Sequence, residues 1–388
     1  MSQRCAVVGI GQTKHDTMRV DVSLNGLVRE AVDRAMADAD VGWRDIDAIV
    51  VGKAPDMFEG TMMPELYLAD ALAAGGKPVL RVHTAGSVGG STGIVAASLI
   101  KAGVHERVLV VTYEKQSEGN AMWALTVRMP FQQAIVAGAG GYFAPLIRAY
   151  IARSGAPADT GIRVALKDRQ NGLKNPHSHL AFPDISYEMI ADSPMLWDPI
   201  RYLETCPSSD GACAVVLASE TAARRSPGPA AWIHATAMRS EPTMFAGRDD
   251  VNPRAGRDCA AELYRRAGIS DPRRDLDCAE VYVPFSWYEP MWMENLGFAP
   301  EGQGWRMTQD GDTALDGDFP VNASGGVLSS NPIGASGLLR FAEAANQVRG
   351  AAGEHQVEGA NVALAMAYGA NSQYFSTWAV GSSLDPFG

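Results

Sequence analysis

The sequence of 388 residues lacks the features of a membrane-spanning, secreted or nucleic-acid-binding protein. It contains no run of about 20 apolar residues, which a membrane-spanning helix requires. Its start, MSQRCAVVGIGQT, has only a short apolar run and no small-residue cleavage site, unlike a secretory signal. The formal net charge is −11, whereas a nucleic-acid binder needs a clustered basic surface. We therefore expect a cytoplasmic protein that neither spans a membrane nor binds nucleic acid.

Cysteine is scarce, with five residues and no CxxC motif. An odd number of cysteines cannot all pair, so we expect reduced thiols. Cys5, Cys213 and Cys278 lie in apolar, strand-like runs, where cysteine behaves as a small buried apolar residue. His177 and His179 have no cysteine or carboxylate partners at ligand spacing. The sequence therefore predicts no disulfide and no metal site.

Glycine, in contrast, is abundant. The chain has 40 glycines in 388 residues, above the usual share of about 7%. They are clustered rather than spread, and the chain is not a short-period repeat. Clustered glycine in such a chain indicates places where the backbone comes close to another group.

Short β-branched runs alternate with amphipathic helical patterns, which is typical of layered α/β proteins. The predicted strands are Ala6–Ile10, Ala48–Val51, Val108–Thr112, Ala214–Ala218, Cys278–Val283, Val362–Ala367 and Tyr374–Val380. The clearest helix is predicted over Leu24–Ala39, with Ser23 as its N-cap and its apolar residues on one face.

The two halves of the sequence repeat one pattern. The helix at Leu24–Ala39 and its following strand correspond to a second helix at Ala255–Ala267 and the strand after it. The glycine turns Gly90–Gly93 and Gly334–Gly337 each open a predicted helix, and the offsets lie between about 230 and 255 residues. Such a long period indicates a duplicated α/β unit rather than a solenoid. We place the halves at 1–240 and 241–388, with an unrepeated insertion at about 115–205 that is expected to cover the substrate.

Several motifs in order resemble those of sterol-carrier-type thiolases. They are Trp197–Ile200, Cys206–Ala212, Pro300–Trp305, Asn322–Gly326 and Asn331–Gly337. The resemblance extends over essentially the whole chain. It implies the thiolase fold, an α/β fold in which a duplicated βαβαβαββ unit forms five layers with an inserted loop domain.

The sequence departs from that family at each catalytic position. The nucleophilic cysteine of thiolases corresponds to Ser87, and two catalytic histidines correspond to Tyr282 and Asn331. A serine hydroxyl has a far higher pKa than a thiol and needs a neighbouring base to act as a nucleophile. The resemblance implies an oxyanion hole formed by the backbone N–H groups of Ser87 and Gly369. Tyr368 lies beside that second donor, and Asn331 is a candidate side-chain donor or loop support.

These residues favour thioester chemistry without an acyl-enzyme. An oxyanion hole stabilises a thioester enolate, and a phenol can transfer protons, which together suit retro-aldol cleavage. The chain resembles the lipid-transfer-protein-type aldolases of bacterial steroid catabolism. Those enzymes cleave β-hydroxy steroid acyl-CoA esters to a shortened steroid carbonyl and acetyl-CoA or propionyl-CoA. Tyr282 and Tyr368 are candidates for the base and the acid, in either order.

The resemblance also implies the assembly and the ligands. We expect a homodimer core, a small zinc-ribbon/OB-fold partner related to acyl-CoA-associated proteins, and no bound cofactor besides the CoA thioester substrate. Four residues are predicted to contact CoA: Lys174, Ser324, Gly325 and Gly326. For the basic residues of the insertion, Lys167, Arg169 and Lys174, contact with the CoA phosphates and a solvated charged surface are both open, and the second is favoured. His83 is either a base or a packing residue, and packing is favoured.

Two alternatives remain open at this point. One is a 3-ketoacyl-CoA thiolase or acyltransferase that uses Ser87 or another cysteine. The other is a non-catalytic subunit that binds acyl-CoA or sterol. In each case the aromatic and methionine run at 285–293 is expected to be mostly core, with part of it lining an apolar slot.

Overall fold

The computed structural model describes residues 3–119, 138–243 and 247–385, in which strands and helices alternate. The strands are β1 (Cys5–Gln12), β2 (Ala48–Gly52), β3 (Val79–Val82), β4 (Arg107–Lys115), β5 (Met195–Trp197), β6 (Ile200–Arg201), β7 (Asp210–Ser219), β8 (Ala231–Ser240), β9 (Cys278–Val281), β10 (Val362–Gly369) and β11 (Tyr374–Gly381). The helices are α1 (Leu24–Ala39), α2 (Pro64–Leu68), α3 (Val88–Lys101), α4 (Gly138–Ser154), α5 (Thr160–Leu173), α6 (Tyr187–Ala191), α7 (Glu220–Ala223), α8 (Arg254–Ala267), α9 (Pro272–Asp275), α10 (Tyr288–Asn295), α11 (Gly304–Asp310), α12 (Gly326–Ser329) and α13 (Ile333–Arg349).

The predicted first helix begins and ends where the sequence pattern places it. Ser23 is extended and its hydroxyl accepts a hydrogen bond from the Gly26 amide at 3.1 Å, which satisfies a free donor of the first turn. The apolar face, which includes Leu27 and Val28, is buried. Asp40 ends the helix with a φ of 52°. Local capping and one apolar face therefore account for α1.

The strands form a continuous array in the order β3-β2-β4-β7-β1-β8-β11-β10-β9. The contact between β1 and β8 involves only two residue pairs, so the array consists of two sheets that meet there. In the second sheet, Val321 forms a parallel bridge to Ala279 of β9, in the place that β3 takes beside β2 in the first. The two halves thus repeat one strand order, as the sequence predicts.

The two sheets and their helices form five layers. Helices α3 and α13 lie between the sheets and pack against both in one core, which contains Ile94 and Leu338. Helix α1 covers the outer face of the first sheet, and α8 covers the outer face of the second. This arrangement directs the N-terminal ends of α3 and α13 toward the region where the two halves meet.

The insertion contains regular structure as well as loops. Helices α4, α5 and α6 and the β5–β6 hairpin lie in it, and residues 120–137 are outside the described part of the chain. Helix α5 packs against α11 and α12 of the second half. Its Lys167 donates to Glu289 at 2.6 Å and to the Val321 carbonyl at 2.8 Å. The insertion is therefore anchored to the half of the molecule that contributes Tyr282 and Asn331.

All seven predicted strands are present, whereas β3, β5, β6 and β8 were not predicted. Strand β8 ends at the predicted boundary after residue 240 and pairs with β1 of one half and β11 of the other. The boundary itself stays a prediction. Within the described residues, every helix is too short or too polar to cross a membrane.

Candidate functional site

Two glycine-containing turns, one from each half, meet at the ends of α3 and β10. A Cβ added to Gly86 would lie 3.5 Å from the Tyr368 carbonyl oxygen and 3.6 Å from the Gly369 Cα. A Cβ added to Gly369 would lie 2.6 Å from the Gly86 nitrogen and closer still to the Ser87 nitrogen. Only glycine at position 369 permits this approach. The structure therefore brings together the two residues from which an oxyanion hole is predicted, Ser87 and Gly369.

The turn after Gly369 has an unusual backbone. Residues 370–372 all have positive φ angles, between 51° and 61°, although none of them is glycine. The Gln373 amide donates to the Gly369 carbonyl at 3.0 Å and closes the turn. From outside, Arg248 donates to the carbonyl oxygens of Asn371 and Ser372. Surrounding contacts thus hold the strained backbone that positions Gly369.

The Ser87 hydroxyl is engaged within its own turn. It donates to the Thr84 carbonyl at 2.7 Å and lies 3.0 Å from the Thr84 hydroxyl. The Ser87 N–H makes a longer bond to the same carbonyl, at 3.3 Å. No hydrogen bond between described residues joins Ser87 to a general base. His83 is exposed, so the interpretation of this histidine as a packing residue is wrong.

Beside the two turns lies a set of polar side chains around Tyr282, which we call the polar wall: Cys206, Asn331 and Ser336. The Tyr282 phenol donates to Asn331 Oδ1 at 3.2 Å, and the Ser336 hydroxyl donates to the same oxygen at 2.8 Å. Asn331 Nδ2 donates to the Cys206 sulfur at 3.2 Å. The Tyr282 oxygen lies 4.0 Å from the Cβ position of Gly86. Tyr282 and Asn331 are therefore adjacent to the glycine turns.

Burial sets the ionisation of this wall. It raises the pKa of Tyr282 above its ordinary value, the nearby Cys206 raises it further, and the neighbouring Ser336 hydroxyl opposes the rise. Burial also raises the pKa of Cys206 to about 11, with the Asn331 amide acting in the opposite direction. Both groups are thus protonated at neutral pH. In the free chain, Tyr282 is a neutral hydrogen-bond donor and does not have the lowered pKa of a resting base.

Tyr368 lies in a contrasting environment, the aromatic wall, formed by Tyr288, Trp292 and Phe375. Its ring centroid is 4.9 Å from that of Trp292, 5.7 Å from Tyr288 and 6.1 Å from Phe375. The Tyr282 ring meets it edge-on at 5.5 Å. Burial raises the pKa of Tyr368 well above its ordinary value, and the neighbouring tyrosines add to the rise. The aromatic run is core, as predicted, and it holds the Tyr368 ring beside Tyr282.

The residues that hold the Asn331 turn were not identified from the sequence. Ser209 accepts a hydrogen bond from the Asn331 N–H at 3.0 Å, and Gln116 donates to the Asn331 carbonyl at 2.6 Å. The Glu114 carboxylate accepts from the Gly334 N–H at 3.1 Å. The available signal was a polar run, EKQ, directly after an apolar strand. The first half of the chain therefore supports a turn of the second.

Ser324, predicted to contact CoA, is instead surrounded by protein. It is 2% exposed. Its N–H and hydroxyl donate to the Glu280 carboxylate at 2.9 and 2.8 Å. Arg340 donates to the Ser324 hydroxyl at 2.7 Å and pairs with Glu280. The polar groups of Ser324 are thus satisfied internally.

The two following glycines are also used in packing. Gly325 has a φ of 87°, and a Cβ added to it would lie 2.5 Å from the Cα of Gly172 in α5. Gly326 has a φ of 59°, and its added Cβ would lie 2.9 Å from the Asn322 side chain. Both glycines are buried. The placement of Ser324, Gly325 and Gly326 therefore does not support their predicted contact with CoA.

The three basic residues of α5 and its end have different environments. Lys167 is paired with Glu289, and Arg169 is buried and donates to the Leu203 carbonyl at 2.8 Å. The expectation that Lys167 and Arg169 form a solvated charged surface is wrong. Lys174 is exposed, and its predicted contact with CoA stays a prediction.

Comparison with known proteins supports the fold and the family. Residues 237–380 match the thiolase C-terminal domain-like family. The acetyl-CoA acetyltransferase of Methanothermobacter thermautotrophicus is 31% identical, and the match covers 92% of this chain and 94% of that protein. Human sterol carrier protein 2 is 30% identical over 93% of this chain and 69% of its own length. The chain belongs to the thiolase superfamily, which confirms the fold class predicted from its motifs.

A solved structure is also closely similar. The chain matches the structure of an Ltp2-ChsH2(DUF35) aldolase with a TM-score of 0.82 and 25% identity, over 98% of both chains. Relatives of this chain thus include proteins named as acetyltransferase, as sterol carrier and as aldolase.

Proposed function

We propose that the protein is a steroid side-chain-cleaving aldolase. Its reaction is retro-aldol cleavage of a β-hydroxy steroid acyl-CoA to a shortened steroid carbonyl and acetyl-CoA or propionyl-CoA. One observation carries the proposal: the Ser87 and Gly369 turns meet beside the Tyr282 phenol, with no thiol at the nucleophile position. The similarity to the solved Ltp2-ChsH2(DUF35) aldolase supports it.

The geometry suits this reaction because retro-aldol cleavage needs no covalent intermediate and therefore no nucleophilic thiol. The β-hydroxyl loses its proton, and the electrons of the bond between the α and β carbons pass to the thioester as an enolate. In the proposed reaction, the N–H groups of Ser87 and Gly369 stabilise the enolate oxygen. A proton then returns to the α carbon. The proton gained equals the proton lost, so one neutral phenol, Tyr282 or Tyr368, can take up the β-hydroxyl proton as it passes its own proton toward the α carbon, and no external acid or base is consumed.

The proposed assembly follows the same comparison. The similar solved structure is named as a complex of Ltp2 with ChsH2(DUF35). We propose that this chain, as a homodimer core in the cytoplasm, works with a small zinc-ribbon/OB-fold partner and binds no cofactor besides its CoA thioester substrate. The buried aromatic wall would supply an apolar boundary for a bulky substrate.

The deciding experiment supplies a β-hydroxy steroid acyl-CoA without free CoA, to the purified chain alone and to the chain with its partner. The proposal requires release of acetyl-CoA or propionyl-CoA together with the carbonyl product. Tyr282→Phe should suppress this release, whereas Tyr67→Phe, at a tyrosine that is 62% exposed, should not. Robust thiolysis of a 3-ketoacyl-CoA with free CoA, and no aldol products, would overturn the proposal. Binding of acyl-CoA without turnover, even with the partner, would instead support a non-catalytic subunit.

An acyltransferase is the second candidate, because one thiol does lie in the polar wall. The Cys206 sulfur is 3.2 Å from the Asn331 amide, and one relative is named acetyl-CoA acetyltransferase. The raised pKa of Cys206 opposes this role, since the thiolate is the nucleophile. Cys206→Ala separates the two candidates: an acyltransferase would lose its activity, whereas an aldolase would keep its rate within a few-fold.

A further inference from the structure

Ser336 is a buried residue at the start of α13, and its hydroxyl shares an acceptor with Tyr282. Its side chain is fully enclosed, at 0% exposure. The hydroxyl donates to Asn331 Oδ1 at 2.8 Å and lies 3.1 Å from the Pro332 carbonyl. The Tyr282 phenol donates to the same Asn331 oxygen at 3.2 Å. The two hydroxyl groups are therefore neighbours that share one amide oxygen, which has a lone pair for each.

The hydrogen bonds around Asn331 must change when the Tyr282 phenol loses its proton. The Tyr282 oxygen can then only accept, and the Asn331 oxygen that faces it is also an acceptor. The rotatable O–H of Ser336 lies beside the phenol, because the two oxygens contact the same Asn331 Oδ1 at 2.8 and 3.2 Å. Rotation of that one bond replaces an acceptor–acceptor contact by a hydrogen bond to a charged oxygen. Such charge-assisted bonds are about twice as strong as neutral ones.

We propose that Ser336 is a positioning residue for the proton transfer: its hydroxyl donates to Asn331 while Tyr282 is neutral and turns to the Tyr282 oxygen when that oxygen becomes charged. The inference rests on the proposed function, because it assumes that Tyr282 exchanges a proton during the reaction. In the transfer, the phenol O–H bond breaks as the α carbon of the enolate gains the proton. The electron pair stays on the phenol oxygen, which takes up the β-hydroxyl proton of the same substrate, so Tyr282 is charged only during the transfer and is neutral before and after each turnover.

Charged and titratable groups on the elements around Tyr282 also affect the ionisation of its phenol, but they act through electrostatic interactions. Cys206 and Glu114 disfavour a charged phenol, and Arg340 of α13 favours it through longer-range attraction. The Tyr368 ring packs edge-on against the Tyr282 ring. Besides Tyr282, Ser336 is the residue of the described chain whose side-chain hydroxyl donates to Asn331 Oδ1. Its removal is therefore expected to have an effect that charge substitutions elsewhere do not reproduce.

The first test needs no turnover. A multiply fluorinated tyrosine, whose phenol ionises at lower pH than tyrosine, is incorporated at position 282 and titrated by fluorine NMR. The titration is repeated with Ser336→Cys and Ser336→Ala. A hydrogen bond to a charged group accounts for about one pH unit or more, so the midpoint should rise by that amount in Ser336→Ala. Ser336→Cys, with its weak S–H donor, should give a smaller rise.

The second test measures turnover of the β-hydroxy acyl-CoA with these variants, without the fluorinated residue. The kcat of Ser336→Ala should fall about tenfold or more and its pH profile should move upward, while KM stays unchanged. Ser329→Ala is the matched control, because Ser329 is equally buried and its hydroxyl donates to the Asp168 carbonyl at 3.1 Å. It should change neither the midpoint nor the profile.

The results separate this inference from the function on which it rests. An unchanged midpoint in Ser336→Ala, or an equal shift in Ser329→Ala, would overturn the role of Ser336. A shifted midpoint in a chain that cleaves no β-hydroxy acyl-CoA would instead contradict the proposed function. If Ser336→Ala does not fold, the near-isosteric Ser336→Cys still tests the inference through its own midpoint.

Discussion

The two walls of the candidate site hold their tyrosines in different ways. Tyr282 and Tyr368 are similarly buried, at 5% and 3% exposure, and their rings are 5.5 Å apart. The polar wall holds Tyr282 through a directional hydrogen bond to Asn331, supported by Ser336. The aromatic wall holds Tyr368 through its ring faces and edges, and the Tyr368 phenol makes no hydrogen bond to another described residue.

This difference indicates how each wall responds to a charge on the phenol oxygen of its tyrosine. A hydrogen-bonded wall responds to charge on the phenol oxygen, because its donors and acceptors can reorient around it. An aromatic wall fixes the position of a ring and depends little on its oxygen. Substitutions at the polar wall should therefore affect chemistry and pH dependence, whereas substitutions at the aromatic wall should chiefly affect packing.

The largest loss of activity is expected from a substitution in the glycine turns, which lie beside both walls. Gly369→Ala would place a methyl group against the Gly86 and Ser87 amides, which forces the turns apart and removes the oxyanion donors. Loss of one such donor lowers kcat by about 100-fold or more, so we expect at least that loss in the aldolase assay. Overpacking should also lower the free energy of unfolding by about 1–3 kcal/mol, measured by denaturant titration.

Gly75→Ala is the matched control for this variant. A Cβ added to Gly75 meets no atom within 4 Å, and its φ lies outside the left-handed region. It should leave both activity and stability unchanged. Normal activity in Gly369→Ala would contradict the role of the two turns.

The next comparison removes one phenol oxygen from each wall. Tyr282→Phe should lower the aldolase rate by roughly 100-fold to 10,000-fold, the usual range for a proton-transfer group. It should also cost about 1 kcal/mol of stability, because the bond to Asn331 is lost. Tyr368→Phe should leave the free energy of unfolding within about 0.5 kcal/mol, because its ring contacts remain. Rates and denaturant curves of the two variants check this, and a larger stability loss in Tyr368→Phe would reverse the comparison.

The layered frame was predictable from the sequence because its signals are local. Ser23 caps α1 through a residue three positions away, and the β-branched runs became strands within a few residues of their predicted ends. Strand β8 was missed because its buried positions include three alanines, Ala231, Ala235 and Ala237, which give little hydrophobic contrast. Local pattern thus identified the elements whose apolar residues are large or β-branched.

The candidate site was less predictable from the sequence. A glycine that lets two turns meet at the site and a glycine that lets two elements pack cannot be distinguished by residue type. Gly369 is adjacent to another backbone turn at the site, and Gly325 is adjacent to Gly172 of the insertion. Both contacts join residues more than 150 positions apart in the sequence, so no local pattern distinguishes them. The family resemblance placed Gly369 with Ser87, but it gave no information about the contact that the insertion makes with Gly325. Long-range packing therefore determines which glycine cluster is open to a ligand.

A smaller effect concerns a phenol of the aromatic wall. The Tyr288 side chain is fully buried and its hydroxyl has no hydrogen-bond partner in the described chain. Removing an unsatisfied polar group relieves its desolvation penalty, so Tyr288→Phe should raise the free energy of unfolding by about 1 kcal/mol. Tyr150→Phe is the contrasting variant, because the Tyr150 phenol donates to Glu294 at 2.8 Å and its loss should destabilise the protein. Denaturant titration of both checks the sign, and destabilisation by Tyr288→Phe would contradict this prediction.

The smallest effect on activity is expected from the helix that carries Ser336, where a buried ion pair makes stability depend on pH. In α13, the buried Glu343 accepts from His355 Nε2 at 3.0 Å. Burial raises the pKa of Glu343, but the hydrogen bond and charge of His355, together with Gln12 and Arg340, outweigh burial and lower the pKa to about 2. Burial likewise lowers the pKa of His355, but the hydrogen bond and charge of Glu343, together with Glu280 and the Lys174 backbone, outweigh burial and raise the pKa above 6.5. The carboxylate thus stabilises the fold fully above pH 4.5 and loses this effect as the pH falls toward about 2.

The imidazolium acts in the opposite direction, because its stabilisation is complete below pH 6.5 and is lost as the pH rises through its raised pKa. The pair therefore contributes most between pH 4.5 and pH 6.5. His355→Gln should lower the free energy of unfolding by about 1–3 kcal/mol in that window, and by less on either side. Arg254→Ala, which removes an exposed pair with Asp258, should cost less than about 1 kcal/mol at every pH. A His355→Gln effect that does not change with pH would contradict this prediction and show that the pair holds α13 through packing alone.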